Sequence, residues 1–360
     1  MTVNLRKAVP KQIFSLVKYE DKLMSKEIIN HEAFGGICDI IETARQNAFR
    51  RVNEELIRLY WRIGEYLSVE LKEANYGDGY MQSIADFIAV EYPDIKGFNK
   101  RGLYRMKQFY ETYKGDKKVS TLLTQLNWSN HLKLLSACKT PEERYFYLSL
   151  AVKERYSARE LARQVDSGYY ERYMLSDNAL PANLPEDYGQ SERVFLDKYV
   201  FEFLEIKEPF AEKDLRKAIV RNLKDFVLEI GKDFSLVGEE YRVQVGNHDY
   251  YIDLLFFHRG LSCLVVFELK IGEFQAEYVS KMGLYLEALD REIKKENENP
   301  SVGIILCTSK DDEVVEFTLS RNISPTMISE YNLKLIDKAL LQRKLKEFAE
   351  RSGLDGNLDS

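Results

Sequence analysis

Cysteine and histidine are scarce in this chain of 360 residues, which has four of each. The cysteines stand at positions 38, 138, 263 and 307, and the histidines at positions 31, 131, 248 and 258. Neither set has the close, paired spacing that is typical of a metal site. We therefore assign no chemistry to either residue type.

Long apolar runs and an excess of basic residues are absent as well. No segment resembles a membrane span or a secretory signal, so we expect a cytoplasmic protein without a membrane partner. The 52 lysines and arginines are outnumbered by 58 acidic residues, which gives a net charge of −6. That balance argues against indiscriminate binding of polyanions by the whole surface. A nucleic-acid site would have to be local.

Three charged residues, Asp253, Glu268 and Lys270, lie inside two apolar segments at residues 250–257 and 264–270. An isolated carboxylate in a low-dielectric core costs several kcal/mol unless a metal or a counter-charge compensates it. Both segments are rich in β-branched and aromatic residues, and a turn-prone stretch joins them, which predicts an antiparallel hairpin. The charges in this hairpin therefore need a partner or a function.

Folding the chain about the middle of the turn places Asp253 opposite Glu268, with Cβ atoms about 4.5 to 5.5 Å apart. Two carboxylates at that distance can share a hard cation such as Mg²⁺. Strand alternation puts Lys270 on the same face as Glu268, where an ammonium can orient a water or offset charge on a phosphorus centre. The pattern predicts metal-dependent hydrolysis of phosphodiesters. The alternative is a structural ion pair between Lys270 and one of the acids.

The chain resembles the PD-(D/E)XK nuclease domain of the YhcG-like bacterial proteins over roughly residues 215–331. The segments that carry the resemblance are Phe226–Gly231, Tyr251–Phe256, Val265–Phe274 and Gly303–Cys307. It implies a restriction-endonuclease-like α/β or α+β fold with a mixed central sheet flanked by helices. It also implies that Asp253 and Glu268 bind Mg²⁺, for which Mn²⁺ can substitute. In the same comparison the Leu269 carbonyl is an extra ligand and Lys270 assists the chemistry.

The resemblance further implies an acid from the helix before the hairpin, for which we choose Glu229. An apolar stripe runs from Leu215 to Ile230, ends at Gly231, and places Glu229 at its edge in the last turn. A carboxylate at that end opposes the helix dipole, which favours another role for it. The resemblance implies that this role is that of a catalytic residue and metal ligand. The alternative is an ordinary solvated glutamate.

Two positions depart from the pattern of this family. Ser280-Lys281 stands where Gly-Gln is expected, and Glu239-Glu240 stands where a glutamine often precedes the tyrosine that corresponds to Tyr241. Lys281 either pairs with Glu277 one turn back or reaches the cleft. Neither departure removes a metal ligand.

A basic stretch with interleaved aromatic residues lies in the N-terminal half. Asn99 can cap a helix that begins near Lys100 and displays Arg101 and Arg105 along one side. Such a helix can meet phosphates or a groove of nucleic acid, and the alternative is a solvated basic face on a helical bundle. The residues that we predict to bind nucleic acid are Lys96, Lys100, Arg101, Arg105 and Lys107.

Two helical patterns precede this stretch, a long one from Ile41 to Leu67 and a shorter one from Met81 to Glu91. Together with the basic helix they predict a mostly helical unit of the helix-turn-helix or winged-helix type. This half also resembles the accompanying domain of the YhcG-like family, which is thought to bind DNA or mediate assembly, through residues 97–103, 126–131 and 156–161. Near the predicted helix cap Ser157, three arginines either extend the basic surface or pair with nearby acids: Arg155, Arg159 and Arg163.

The predicted order is a peripheral segment at 1–33, a helical nucleic-acid-binding domain at 34–175, a linker at 176–191, the nuclease domain at 192–345 and a tail at 346–360. The predicted function is a divalent-metal-dependent nuclease of restriction, repair or mobile-element defence that acts on DNA, with endonuclease or exonuclease action left open. Its partner is nucleic acid, with DNA preferred, and a homodimer or larger assembly is left open. The alternative is an inactive nuclease-like protein that binds DNA or acts within a complex.

Overall fold

The computed structural model describes residues 11–73, 78–116, 119–176 and 194–351. The chain divides into two compact units, residues 1–131 and residues 132–360, which we call the first and second units. The division precedes the predicted linker, most of which lies outside the described residues, as does the chain after residue 351. No helix in the described part is long and apolar enough to cross a membrane.

The first unit is built from helices: α1 (Lys11–Glu73), α2 (Asp78–Glu91), α3 (Lys100–Tyr113), α4 (Ser120–Leu123) and the start of α5 (Trp128–Ala137). The predicted long helix is confirmed. Asn99 caps α3 as predicted, because its side chain accepts a hydrogen bond from the N–H of Gly102 at 2.8 Å. Residues 11–73, 78–116 and 119–131 contain no strand, so the described part of this unit is helical, as predicted, while its helix-turn-helix or winged-helix type stays a prediction.

The side of α1 that faces α3 allows a close approach of the two helices. Gly64 lies against the backbone of Met106, and a methyl group at residue 64 would overlap the Met106 carbonyl oxygen. Beside this contact, Trp61 packs edge-on against Phe109 with ring centroids 5.8 Å apart. Phe109 also meets the buried His131 at 4.8 Å. Burial lowers the pKa of His131 to about 4, so this ring is neutral and belongs to the core.

The second unit combines a mixed sheet with helices. Its strands are β1 (Lys198–Val200), β2 (Phe234–Val245), β3 (His248–His258), β4 (Cys263–Leu269), β5 (Asn299–Cys307) and β6 (Thr326–Asn332). Its helices are α6 (Pro141–Lys153), α7 (Ala158–Asp166), α8 (Tyr169–Leu175), α9 (Glu212–Arg221), α10 (Leu223–Ile230), α11 (Glu277–Glu292), α12 (Asp312–Leu319) and α13 (Lys338–Arg351). The strand order is β1-β6-β5-β4-β3-β2, in which the β2-β3 and β3-β4 pairs are antiparallel and the remaining pairs are parallel.

Helices cover both faces of this sheet. On one face α9 and α10 bury residues such as Leu215 and Phe226 against Phe267 of β4. On the other face α11 buries Met282 in the same cluster as Val266 of β4. Because neighbouring residues of β4 enter opposite clusters, the strand is buried on both sides. The predicted mixed α/β fold is confirmed.

A buried charge network around Glu229 ties α7 and α8 to α10 and β1. Glu229 Oε1 accepts hydrogen bonds from Arg172 of α8 at 2.5 Å and from the N–H of Val200 at 2.8 Å. Glu229 Oε2 accepts from Arg163 of α7 at 2.9 Å. Arg163 also donates two hydrogen bonds of 3.1 Å to Glu202, so it is engaged here and does not extend a basic surface. Two acids and two arginines thus neutralise each other inside the unit.

Replacing Gly64 with alanine should destabilise the first unit by about 1 to 3 kcal/mol, because overpacking forces α1 and α3 apart. Gly36→Ala is the matched control, since nothing lies within 4 Å of a Cβ added at that position of α1. That control should be neutral or stabilising by up to about 1 kcal/mol. Trp61 and Trp128 both lie in the first unit, so tryptophan fluorescence during urea unfolding measures this unit selectively. Equal midpoints for the two variants would contradict the close approach.

Replacing Glu229 with glutamine should destabilise the second unit by about 3 to 5 kcal/mol, because two arginines lose a buried counter-charge. Asp225→Asn, in the first turn of the same helix, should cost less than about 1 kcal/mol. Hydrogen exchange at the amides of α7, α8 and α10 measures the difference. Unchanged exchange in Glu229→Gln would show that the network does not hold these helices in place.

Candidate active site

Asp253 and Glu268 lie on the neighbouring strands β3 and β4, at the end of their pairing that is farther from the turn. β3 and β4 pair antiparallel with Leu254 matched to Phe267, which makes Asp253 and Glu268 the next opposed positions. The N–H of Leu269 donates to Asp253 Oδ2 at 3.0 Å and so fixes this carboxylate beside β4. The predicted hairpin and its register are confirmed.

Glu268 is a buried carboxylate with one compensated oxygen. Its side chain is 3% exposed, and Oε1 accepts from Lys281 Nζ at 2.7 Å and contacts Lys270 Nζ at 3.1 Å. Oε2 is buried and has no hydrogen-bond partner among the described residues. Leaving a buried acceptor unsatisfied costs about 1 to 3 kcal/mol. A cation at Oε2 would remove that cost, so Glu268 fits the role of a metal ligand.

Both lysines on Glu268 also lie against tyrosine rings of α11. Lys270 Nζ is 5.3 Å from the ring centre of Tyr278, and Lys281 Nζ is 5.2 Å from that of Tyr285. Burial disfavours the charged form of each lysine, but their contacts with Glu268 outweigh it, so both pKa values are raised. Each lysine is therefore an ammonium at neutral pH, which can donate hydrogen bonds but cannot accept a proton.

Helix α9 supplies two charged residues that the sequence pattern did not single out. Arg216 Nη1 contacts Asp253 Oδ1 at 2.8 Å, and its Nη2 contacts Glu240 at 2.6 Å. Glu212, one turn earlier, contacts Lys270 Nζ at 3.2 Å. The signal available in the sequence was a charged pair four residues apart beside the apolar stripe of α9, which is common on solvated helices.

Glu229 is placed apart from this site. Its oxygens are bound by Arg163, Arg172 and a backbone N–H, and no group of three or more His, Cys, Asp or Glu side chains in the described part of the chain is arranged to hold a metal. This corrects the expectation of a third acid from Glu229. The donor set that fits a divalent cation is two carboxylates, Asp253 and Glu268, with the Leu269 carbonyl as the further oxygen predicted from the resemblance.

The two departures from the family pattern both contact the site residues. Lys281 reaches the cleft and binds Glu268, which decides between the two alternatives given for it. Glu240 holds Arg216 and has a left-handed backbone with φ of 45°, a conformation that costs a residue with a side chain about 1 to 2 kcal/mol. Both residues therefore alter the charge balance around Asp253 and Glu268.

The predicted nucleic-acid-binding residues lie on or just before α3. Lys96 and Arg101 are exposed, while Lys100 and Arg105 are partly buried. Lys107 binds Glu111 at 2.7 Å, so its charge is already compensated. The binding role of this group stays a prediction.

Two solved structures are similar to part of the chain. A repair endonuclease from Pyrococcus abyssi is 16% identical, and the match covers 36% of this chain and 50% of that one with a TM-score of 0.25. The EndoMS-dsDNA2 complex is 19% identical, and the match covers 35% of this chain and 47% of that one with a TM-score of 0.24. These partial likenesses support no inference about activity.

Sequence relatives cover much more of the chain. Residues 36–172 match the DUF1016 N-terminal domain, and residues 192–346 match the YhcG PDDEXK nuclease domain. The protein described as "Putative nuclease YhcG" from Escherichia coli (strain K12) is 29% identical over 348 residues, and the match covers 86% of this chain and 92% of that protein. The chain therefore contains a region that matches the DUF1016 N-terminal domain, followed by an α/β region that matches the YhcG PDDEXK nuclease domain, and most of its length is similar to a protein described as a putative nuclease.

Proposed function

We propose that this protein hydrolyses phosphodiester bonds of DNA in a reaction that depends on a divalent metal ion. The observation that carries the proposal is the buried Glu268, whose Oε2 has no partner among the described residues and which lies opposite Asp253. Asp253, Glu268 and the Leu269 carbonyl would hold Mg²⁺, or Mn²⁺ in its place. The bound ion supplies Lewis acidity to a phosphate oxygen and lowers the pKa of a nearby water.

Side chains of the site have separate tasks in this mechanism. Lys270 donates hydrogen bonds to the attacking water or to the phosphate, and its positive charge offsets the charge that grows on phosphorus. Glu212 and the ring of Tyr278 hold its ammonium in place. The Leu269 N–H keeps the Asp253 carboxylate turned toward β4.

In this proposal the first unit selects the nucleic acid through α3. Arg101 and Lys96 are exposed to solvent, and Arg105 lies one helical turn after Arg101. Cations on one side of a helix can neutralise successive phosphates and release counterions. A local basic surface of this kind suits a chain whose net charge is −6.

Asp253→Asn should lower metal-dependent cleavage at least about a hundredfold, because it removes one of two charged oxygen donors. Asp249→Asn is the matched control, since Asp249 is also on β3 and also paired with an arginine, Arg242, but at an exposed position. Cleavage of linear, supercoiled, branched and single-stranded DNA and of RNA with Mg²⁺, Mn²⁺ or EDTA measures the effect. Loss of activity in both variants would mean that the strand, not the carboxylate, is responsible.

A second candidate function is nucleic-acid binding or assembly without catalysis. It is favoured by the ion pairs of Lys281 with Glu268 and of Arg216 with Asp253, which occupy one oxygen of each acid. Retained DNA binding without cutting in any metal, together with no Mn²⁺ binding, would support this candidate over the nuclease.

Arg101→Ala combined with Arg105→Ala should weaken DNA binding and make it less sensitive to salt. The slope of log K against log salt should become shallower by about 0.9 for each phosphate that the protein no longer neutralises. Arg45→Ala combined with Arg50→Ala removes the same charge from α1 and should leave the slope unchanged. Fluorescence anisotropy of labelled duplex DNA between low and moderate salt measures both slopes. Equal slopes in the two double variants would place the binding surface elsewhere.

A further inference from the structure

Lys281 is the residue of the site whose role the family pattern does not supply. The first turns of α11 bring it to Glu268, and its 2.7 Å contact with Oε1 is shorter than the 3.1 Å contact of Lys270 with the same oxygen. One carboxylate oxygen therefore receives two ammonium groups, while Oε2 of the same carboxylate has no partner among the described residues. One ammonium is enough to compensate the charge on Oε1, so the second ammonium needs another explanation.

The two lysines differ in how firmly they are held. The side chain of Lys270 is 11% exposed and also binds Glu212, whereas that of Lys281 is 45% exposed. Apart from Glu268, Lys281 lies over the ring of Tyr285, whose hydroxyl is anchored by donating to the carbonyl of Tyr251 at 2.8 Å. Lys281 can therefore leave Glu268 by turning toward solvent without burying an uncompensated charge, and Lys270 cannot.

We propose that the Lys281 ammonium compensates Glu268 in place of the metal ion when no ion is bound, and that it contacts the substrate once the ion is bound. In the metal-free protein its ammonium balances Glu268, and it releases this carboxylate when the ion binds. The ammonium then points to the open side of the site, where it meets a phosphate of the nucleic acid. This inference rests on the proposed function, since it takes Asp253 and Glu268 as the metal ligands.

Competition for one carboxylate has a measurable consequence. The ion would bind Oε2 of a carboxylate whose Oε1 already holds the Lys281 ammonium, so repulsion between the two positive charges should make wild-type protein bind metal more weakly than a variant without the ammonium. The same variant should cut more slowly, because it has lost a cation beside the phosphate. A lysine with only a structural role would not produce tighter metal binding and slower cutting together.

The test is a titration of the full chain with Mn²⁺ alone, followed by electron paramagnetic resonance, in wild type, Lys281→Gln and Lys281→Arg. Lys281→Gln should bind Mn²⁺ about tenfold more tightly, on the scale of the repulsion between two neighbouring positive charges near a protein surface. Lys281→Arg keeps the charge and should stay near the wild-type affinity. Single-turnover cleavage of DNA at saturating Mn²⁺ should fall in Lys281→Gln and be restored in large part in Lys281→Arg.

Lys198→Gln is the matched control, because Lys198 is 43% exposed and binds Glu330 at 2.6 Å in the same unit but outside the site. It should leave Mn²⁺ affinity unchanged. Equal or weaker Mn²⁺ binding by Lys281→Gln, with binding still abolished by Asp253→Asn, would overturn the inference and leave the proposed nuclease intact. A wild-type protein that binds no Mn²⁺ would overturn both, and Lys281 would then be a permanent ion-pair partner of Glu268.

Discussion

Four glutamates among the described residues of the second unit lie almost wholly out of water, Glu143, Glu171, Glu229 and Glu268, and the chain compensates Glu229 and Glu268 differently. Glu229 receives donors from two arginines and one backbone N–H, so both of its oxygens are satisfied. Glu268 receives two ammonium groups on one oxygen and, among the described residues, none on the other. Because an unsatisfied buried acceptor is costly, Glu268 gains from a further ligand and Glu229 does not. Glu229 therefore stabilises the fold, whereas Glu268 can bind a further cation.

The site depends on the place where β4 ends. β4 is buried on both faces, so helices on both sides of the sheet can supply charges beside its last residues. Helix α9 contributes Glu212 and Arg216, and α11 contributes Lys281. Shortly after Lys270 the chain turns at Gly272, whose φ of 104° suits a residue without a side chain. Gly272 also exchanges hydrogen bonds with Thr308 at the end of β5. The turn and these bonds keep the end of β4 in register with its parallel neighbour.

Local patterns in the sequence were sufficient for the hairpin and for the cap of α3. Turn position and strand alternation fix which residues face each other, so the opposition of Asp253 and Glu268 followed from counting. Glu229 could not be placed in this way. Its arginine partners are 57 and 66 residues away along the chain, and an acid at the end of an apolar stripe has the same local pattern in either role. Lys281 was ambiguous for a related reason, because its direction depends on how α11 is rotated against the sheet by the burial of residues such as Met282.

The charge balance at Glu268 also bears on how the protein is maintained. Domains that use a metal as a structural element lose their fold when the ion is removed. Here the acids of the proposed site are paired with Lys270, Lys281 and Arg216 inside the chain itself, so much of their charge is compensated without an ion. Metal supply would then decide whether the nuclease acts and not whether it persists. A cell could keep a folded, silent pool of this protein through a shortage of divalent ions and recover activity without new synthesis.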